Sequence, residues 1–253
     1  ILYIIKALFV KELFKNQSVN IPAIDLFSIS IVHGLLGYIL PMNIGTGIKA
    51  VYLKLRYNLK LKSFGKMEIL ALIVLYFGFS CFLFSGYLAG ILENDSLVFP
   101  ILIILLFSFP PLYLFAKRYL NLRILPKFNL KIYWLGIAND LAYLLTLYVI
   151  IFIILDYEIS YNGLLVWTAI IQFSHIINLT PGNIGIREWL MALTAPVINL
   201  DQEQGAFVSM LARALSISFL LLFYLPSYKI LFSDSNISYS KVISNFKKQI
   251  NVK

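Results

Sequence analysis

Charged side chains are scarce in this 253-residue sequence, at 13% of all residues, which is about half the share found in an ordinary soluble domain. Apolar residues instead make up 60% of the chain, and the mean hydropathy is +0.84. A chain with so few charges cannot cover a globular surface with groups that water solvates. The composition therefore excludes a soluble domain and predicts an all-α, polytopic integral membrane protein.

Sulfur and imidazole ligands are also rare, since the chain has one cysteine, Cys81, and two histidines. A single cysteine excludes an internal disulfide framework and a thiolate metal cluster. The sequence also lacks a Walker A loop, a G-x-S-x-G motif and a D-x-D-type acidic pair on an aqueous loop. We therefore expect no metal site, no cofactor and no enzymatic activity.

Long apolar runs predict the membrane spans, because a helix needs about 20 apolar residues to cross a bilayer. Six runs are long enough: 21–40, 69–92, 97–116, 132–155, 162–179 and 205–225. Residues 1–10 resemble the end of another span, so we expect further residues before Ile1. Two apolar stretches, 44–55 and 184–198, are too short to cross and follow Pro/Gly breaks. The pattern predicts about seven spans plus two re-entrant hairpins built on half-helices.

Basic and acidic residues occupy different connections between these runs. All but two of the 21 lysines and arginines fall in residues 1–20, 41–68, 117–131 and the tail from 229. The other connections hold only acids, at 93–95, 156–158 and 201–203. Because Lys and Arg are retained inside the cell, we expect a multi-pass cell-membrane protein whose basic loops and C-terminus are cytoplasmic. The net charge of +9 could suggest a protein that binds nucleic acid, but the distribution of the basic residues in short connections argues against it.

A short motif occurs twice, as Pro41-Met-Asn-Ile-Gly45 and as Pro181-Gly-Asn-Ile-Gly185. Each copy ends a predicted span and precedes a short apolar stretch, and the predicted topology brings the two copies in from opposite faces. Such inverted repeats are typical of transporters, whereas two unrelated turns are the simpler alternative. The repeat divides a single transmembrane domain, 1–230, into halves at about 1–92 and 132–228. The span 97–116 links the halves, and 231–253 form a polar basic tail.

Half-helices that begin at membrane depth expose unpaired N–H groups and a partial positive charge. Asn43 and Asn183 are suitable N-cap residues for them, and a phosphate is a natural ligand for such a helix end. Charges inside the apolar runs add to this hypothesis, because an unpaired charge there is costly. At 1.5 Å per residue, Glu188 and Arg213 share a depth of about 12–15 Å and could pair. Asp140 reaches a depth comparable to that of Lys49.

These patterns yield two sets of candidate residues. The predicted substrate-binding residues are Asn43, Gly45, Lys49, Asn183, Gly185, Arg187, Glu188 and Arg213. The predicted structural or coupling residues are Pro41, Pro181, Asp140, His33 and His175. For Glu188 and Asp140 the alternative is that they only tie helices together, and each histidine is expected to be an interhelical contact.

The two motif regions resemble the signatures of the lysylphosphatidylglycerol synthase transmembrane-region family. The resemblance rests on residues 41–49, on 181–188 and on Arg213, and the sequence departs from the family at Thr46 and Lys49. Members include the membrane half of multiple-peptide-resistance-factor proteins, which move aminoacylated phosphatidylglycerol between leaflets, and partners of glycosyltransferases. Since the soluble transferase domain is absent from this sequence, the resemblance implies translocation and not synthesis.

We therefore expect a flippase that carries a phospholipid or a polyprenyl-phosphate lipid through a central polar cavity. A non-catalytic membrane partner of a glycosyltransferase or lipid synthase is the first alternative. An intramembrane lipid-modifying enzyme, with Glu188 or Asp140 as base, is the second. A homo-oligomer is compatible with each of them.

Overall fold

The computed structural model describes residues 2–15, 19–40, 44–92, 95–119, 129–174, 180–233 and 239–250. These residues form ten α-helices and no β-strand, as the composition predicts. The helices are α1 (Leu2–Lys15), α2 (Ala23–Ile39), α3 (Ile44–Tyr57), α4 (Leu61–Ile91), α5 (Val98–Tyr119), α6 (Leu130–Tyr148), α7 (Tyr161–Ser174), α8 (Ile186–Thr194), α9 (Gln202–Phe232) and α10 (Tyr239–Ile250). A π-helical turn, Val149–Ile154, extends α6, and short 3-10 turns, Pro181–Asn183 and Ala195–Ile198, flank α8.

Three helical segments of the described chain are long and apolar enough to cross a membrane: Leu61–Ile91, Leu130–Ile154 and Gln202–Phe232. Ala23–Ile39 and Val98–Leu114 are apolar but shorter. Large apolar side chains such as Phe84, Ile104 and Leu222 point outward, as lipid contact requires. The helical membrane class is thus supported, while the predicted number of about seven spans exceeds the three helices that meet both criteria.

Helix α5 continues through Pro110 and Pro111, where a proline pair would be expected to break it. Proline has no N–H, so Pro110 leaves the carbonyl of Leu106, four residues earlier, without its helical partner. The Tyr133 hydroxyl on α6 donates to this carbonyl. The tertiary contact therefore satisfies a polar group that the sequence alone leaves open in an apolar environment.

Helices α2 and α3 form an antiparallel pair. Near the motif, His33 and Thr46 contact each other at 3.1 Å, between Nε2 and Oγ1. At the opposite end of the pair, Arg56 Nε lies 3.5 Å from a carboxylate oxygen of Asp25, and Tyr57 also donates to that carboxylate. The chain therefore returns along α3 to the end at which α2 began.

Helices α7 and α8 fold back in the same way. Trp167 on α7 donates from Nε1 to Thr194 Oγ1 at the end of α8, at 2.9 Å. Close to the start of α7, a Cβ built on Gly163 would lie 3.0 Å from the carbonyl oxygen of Val197. The 3-10 turn after α8 therefore reaches the N-terminal end of α7.

Helix α9, with 31 residues and a length of about 46 Å, connects the open ends of the two pairs. Its first turns pack on the α7–α8 pair, because a Cβ at Gly205 would lie 2.5 Å from the Met191 carbonyl oxygen. Its last turn lies beside α3, where Tyr52 and Arg56 both donate to the Leu231 carbonyl at 3.2 Å. The α2–α3 pair therefore opens toward the C-terminal end of α9, and the α7–α8 pair opens toward its N-terminal end.

The described residues after 230 are mostly helical. Helix α9 continues to Phe232, and α10 then packs against α3. Val242 is completely buried, and Phe246 lies over Gly47, where a side chain on α3 would clash with the Phe246 ring. The apolar positions 242, 243 and 246 recur at helical spacing. This spacing predicts a packed helix even though the segment is basic overall.

Replacing Gly86 of α4 by alanine should lower the melting temperature of the purified protein. A Cβ at Gly86 would lie 2.5 Å from the carbonyl oxygen of Asn162 on α7, and backbone cannot move aside as a flexible side chain can. Overpacking of this kind costs about 1–3 kcal/mol.

Gly65 is the matched control on the same helix, because a Cβ there meets nothing within 4 Å. Gly65→Ala should leave the melting temperature unchanged or raise it, since alanine is favoured over glycine in helices by about 0.5–1 kcal/mol. Equal melting curves for the two variants would contradict the close α4–α7 contact.

Candidate functional site

A partly open cavity of about 330 Å³ lies between the two helix pairs and is also walled by α1, α4, α6 and α9. Its apolar wall comes mainly from leucines. Its polar lining consists of four tyrosines, two amides, two hydroxyl side chains and two cations: Tyr3, Tyr38, Tyr76, Tyr143, Asn139, Gln172, Thr146, Ser216, Lys6 and Arg187. A cavity of this size falls in the range of small-molecule sites.

Arg187 is one of the predicted substrate-binding residues, and it lines this cavity. It follows directly after the first residue of α8 and is only 5% exposed. Its Nη2 donates to the Tyr143 hydroxyl at 2.9 Å, while its Nε has no partner within the described chain. A buried guanidinium with an unused donor is costly unless water or a ligand supplies an acceptor.

Lys6 is the second cation of the cavity, and the sequence analysis assigned it only to a basic connection. It lies on α1, its side chain is solvent-accessible, and it forms no ion pair with any described residue. Its position within the apolar run 1–10 is the same signal that singled out Arg187 and Arg213. Because the sequence analysis grouped Lys6 with the basic connection 1–20, it did not identify Lys6 as a charge within an apolar run.

Glu188 and Arg213 form the ion pair that their shared depth predicted, with 2.8 Å between Oε1 and Nη2. Ser209 also donates to Oε1, at 3.2 Å. The other carboxylate oxygen accepts the backbone N–H of Gly185 at 2.8 Å. Glu188 therefore caps its own helix and neutralises the positive helix end, which is the place where the sequence predicted a phosphate.

The predicted N-cap role of Asn183 is wrong, because α8 begins at Ile186 with Gly185 as its cap. Gly182, Asn183 and Gly185 all have positive φ angles, of 57°, 56° and 86°. This left-handed turn, which starts at Pro181, directs the Asn183 side chain toward α7 instead of α8. Its amide donates to the Ser174 carbonyl at 3.3 Å, and its own carbonyl accepts from Arg213 at 3.3 Å.

The turn Pro181–Asn183 also touches the end of the other helix pair. A Cβ built on Gly182 would lie 2.8 Å from the Tyr38 ring, close to the end of α2. Tyr38 and Arg187 both line the cavity. The tip of the α7–α8 pair and the end of α2 therefore meet at the wall of the cavity.

Three predicted residues lie outside the described chain: Pro41, Asn43 and His175. Helix α3 begins at Ile44, directly after Asn43. Gly45 packs under His33, at 3.4 Å from its ring to a built Cβ. His33 is an interhelical contact to Thr46, as predicted.

Lys49 and Asp140 do not pair, although their similar depths made that arrangement plausible. Lys49 Nζ instead lies 2.8 Å from Glu68 Oε1 on α4 and 5.5 Å from the centre of the Phe64 ring. Asp140 is completely buried against Gly78, and its Oδ2 has no partner among the described residues. Depth along a helix does not determine which side of the helix a residue faces. Equal depth was therefore insufficient to predict whether Lys49 and Asp140 meet.

The fold and the cavity define a class, that of all-helical membrane proteins with a partly open cavity that is lined by two cations and bounded by two folded-back helix pairs. The sequence model of the family described as "Lysylphosphatidylglycerol synthase TM region" matches residues 1–223. The chain belongs to this family, which confirms the resemblance of its two motif regions and supports a lipid-related role in a membrane. No curated protein and no solved structure matches the chain.

Arg213 is absent from the cavity lining, so its replacement should act on stability. Arg213→Met would leave the Glu188 carboxylate largely buried without its cation, and breaking a buried pair costs about 3–5 kcal/mol. We expect a clear drop in the melting temperature of the purified variant.

The double variant Arg213→Met/Glu188→Gln should recover part of this loss, because the remaining amide can still accept from Gly185 and carries no charge. A single variant that melts like the wild type would show that the pair does not hold α8 against α9.

Proposed function

We propose that this protein is a lipid translocase. A phosphate-bearing headgroup crosses through the cavity, and the hydrocarbon chains of the lipid remain in the bilayer. The observation that carries this proposal is the pair of cations, Lys6 and Arg187, in a cavity with no acid among its described lining residues. Membership of the family supports a lipid-related role in a membrane, and the two cations of the cavity are suited to an anion.

The arrangement of the helix pairs supports a path between leaflets. One pair opens toward each end of α9, and the tip of the α7–α8 pair touches α2 at the cavity wall. In this proposal both pairs are re-entrant and enter from opposite faces of the bilayer. Small rotations of the two halves would then expose the cavity to one leaflet at a time.

The predicted substrate-binding residues take different parts in this mechanism. Arg187 contacts the headgroup directly, because it faces the cavity and has an unused N–H. Glu188 and Arg213 position it, since they fix the first turn of α8 against α9. Lys49, paired with Glu68, ties α3 to α4 beside the cavity.

Arg187→Gln should slow lipid transfer in proteoliposomes by about 10- to 100-fold, which corresponds to one lost charge-assisted hydrogen bond of about 1.5–3 kcal/mol. The probe is tail-labelled phosphatidylglycerol, whose movement is followed by its accessibility to an impermeant quencher. Arg118→Gln is the matched control, because Arg118 is exposed and lies outside the cavity. A folded Arg187→Gln protein that transfers lipid at the wild-type rate would contradict the proposal.

The basic end of the bundle is proposed to face the cytoplasm, as the retention of Lys and Arg requires. In a Cys81→Ser background, Glu203→Cys should react with an impermeant maleimide added to intact cells. Lys62→Cys should react only after the cells are permeabilised. Both original residues are exposed, at opposite ends of the bundle, so the reverse pattern would invert the orientation.

A further inference from the structure

The cavity has an unbalanced charge that bears on the kind of headgroup it accepts. Lys6 and Arg187 both line it, and no aspartate or glutamate appears among its described lining residues. A ligand that fills such a site must bring the negative charge itself, because the buried Arg187 and the more accessible Lys6 both lack an acid partner among the described residues.

The acids near the cavity are absent from its described lining. Glu188 is bonded to Arg213 and to the start of α8. Glu68, which interacts electrostatically with Lys6, is ion-paired with Lys49. Asp140 follows the cavity-lining Asn139 but lies against Gly78 on α4. None of these carboxylates lines the cavity where it could pair with an ammonium group on a ligand.

The neutral groups of the cavity are suited to donate hydrogen bonds. The Tyr143 hydroxyl accepts from Arg187, so its own hydrogen is left to donate. Asn139 and Gln172 add amide donors, and the unused Arg187 Nε is a further one. Several converging donors and two cations fit a group that has only acceptors, such as a phosphate.

We infer that the cavity selects a phosphomonoester headgroup with close to two negative charges and rejects headgroups that carry an ammonium group. A phosphomonoester bears about −1.5 to −2 charges at pH 7, which matches the two cations. A lysylated headgroup would place positive charge beside Lys6 and Arg187 with no carboxylate to compensate it. The inference rests on the proposed function and separates this chain from the lysylated lipid in the description of its family.

The test compares three lipids with identical acyl chains: phosphatidic acid, phosphatidylglycerol and lysylphosphatidylglycerol. Each is added to the purified protein in phosphatidylcholine nanodiscs, and bound lipid is counted by native mass spectrometry. We expect phosphatidic acid to bind about tenfold more tightly than phosphatidylglycerol, which is about 1.4 kcal/mol. Lysylphosphatidylglycerol should bind most weakly.

Two variants identify the cavity as the cause of this order. Lys6→Gln should remove the preference for phosphatidic acid over phosphatidylglycerol, and Arg187→Gln should weaken the binding of both. Lys62→Gln is the matched control, because Lys62 is an exposed lysine on α4 outside the cavity. Its binding order should equal that of the wild type.

Equal or tighter binding of lysylphosphatidylglycerol would overturn the inference, as would an unchanged preference in Lys6→Gln. The two proposals can fail separately. If the expected order of binding is found but no labelled lipid crosses the proteoliposomes, the selectivity stands and translocation fails. If lipid crosses without a preference for the phosphomonoester, translocation stands and the selectivity fails.

Discussion

The first N–H groups of a helix need partners from outside the helical hydrogen-bond pattern, and Glu188 supplies one at the start of α8. One of its oxygens accepts the Gly185 N–H, and the other pairs with Arg213 on α9. The neighbouring Arg187 is a cation with only donor groups, so it cannot satisfy this positive helix end. Arg187 faces the cavity instead, with an unused donor.

Breaks in the helices are covered by neighbouring helices. The turn Pro181–Asn183 packs on Tyr38, and the carbonyl freed by Pro110 accepts from Tyr133. The two helix pairs approach each other from opposite ends of α9, and between them they leave a space that side chains do not fill.

The cavity differs from other charged sites of the protein in the pairing of its cations. Other cations of the described helices lie in ion pairs with acids, as in Lys49 with Glu68 and Arg56 with Asp25. Lys6 and Arg187 lack such partners. Two cations that line one cavity, with no acid among its described lining residues, favour a site whose counter-charge comes from outside the chain.

The sequence by itself determined the helical membrane class, the family and the pairing of Glu188 with Arg213. These follow from composition, from the local order of residues in two motifs and from the rise per residue of a helix, all of which are properties of consecutive residues. Only the tertiary structure decided that Gly185 and not Asn183 caps α8, that Lys49 pairs with Glu68, that Lys6 enters the cavity and that α10 covers Gly47. These features depend on the side of each helix that meets a neighbour, and the direction of a helix face is set by packing between segments far apart in the chain.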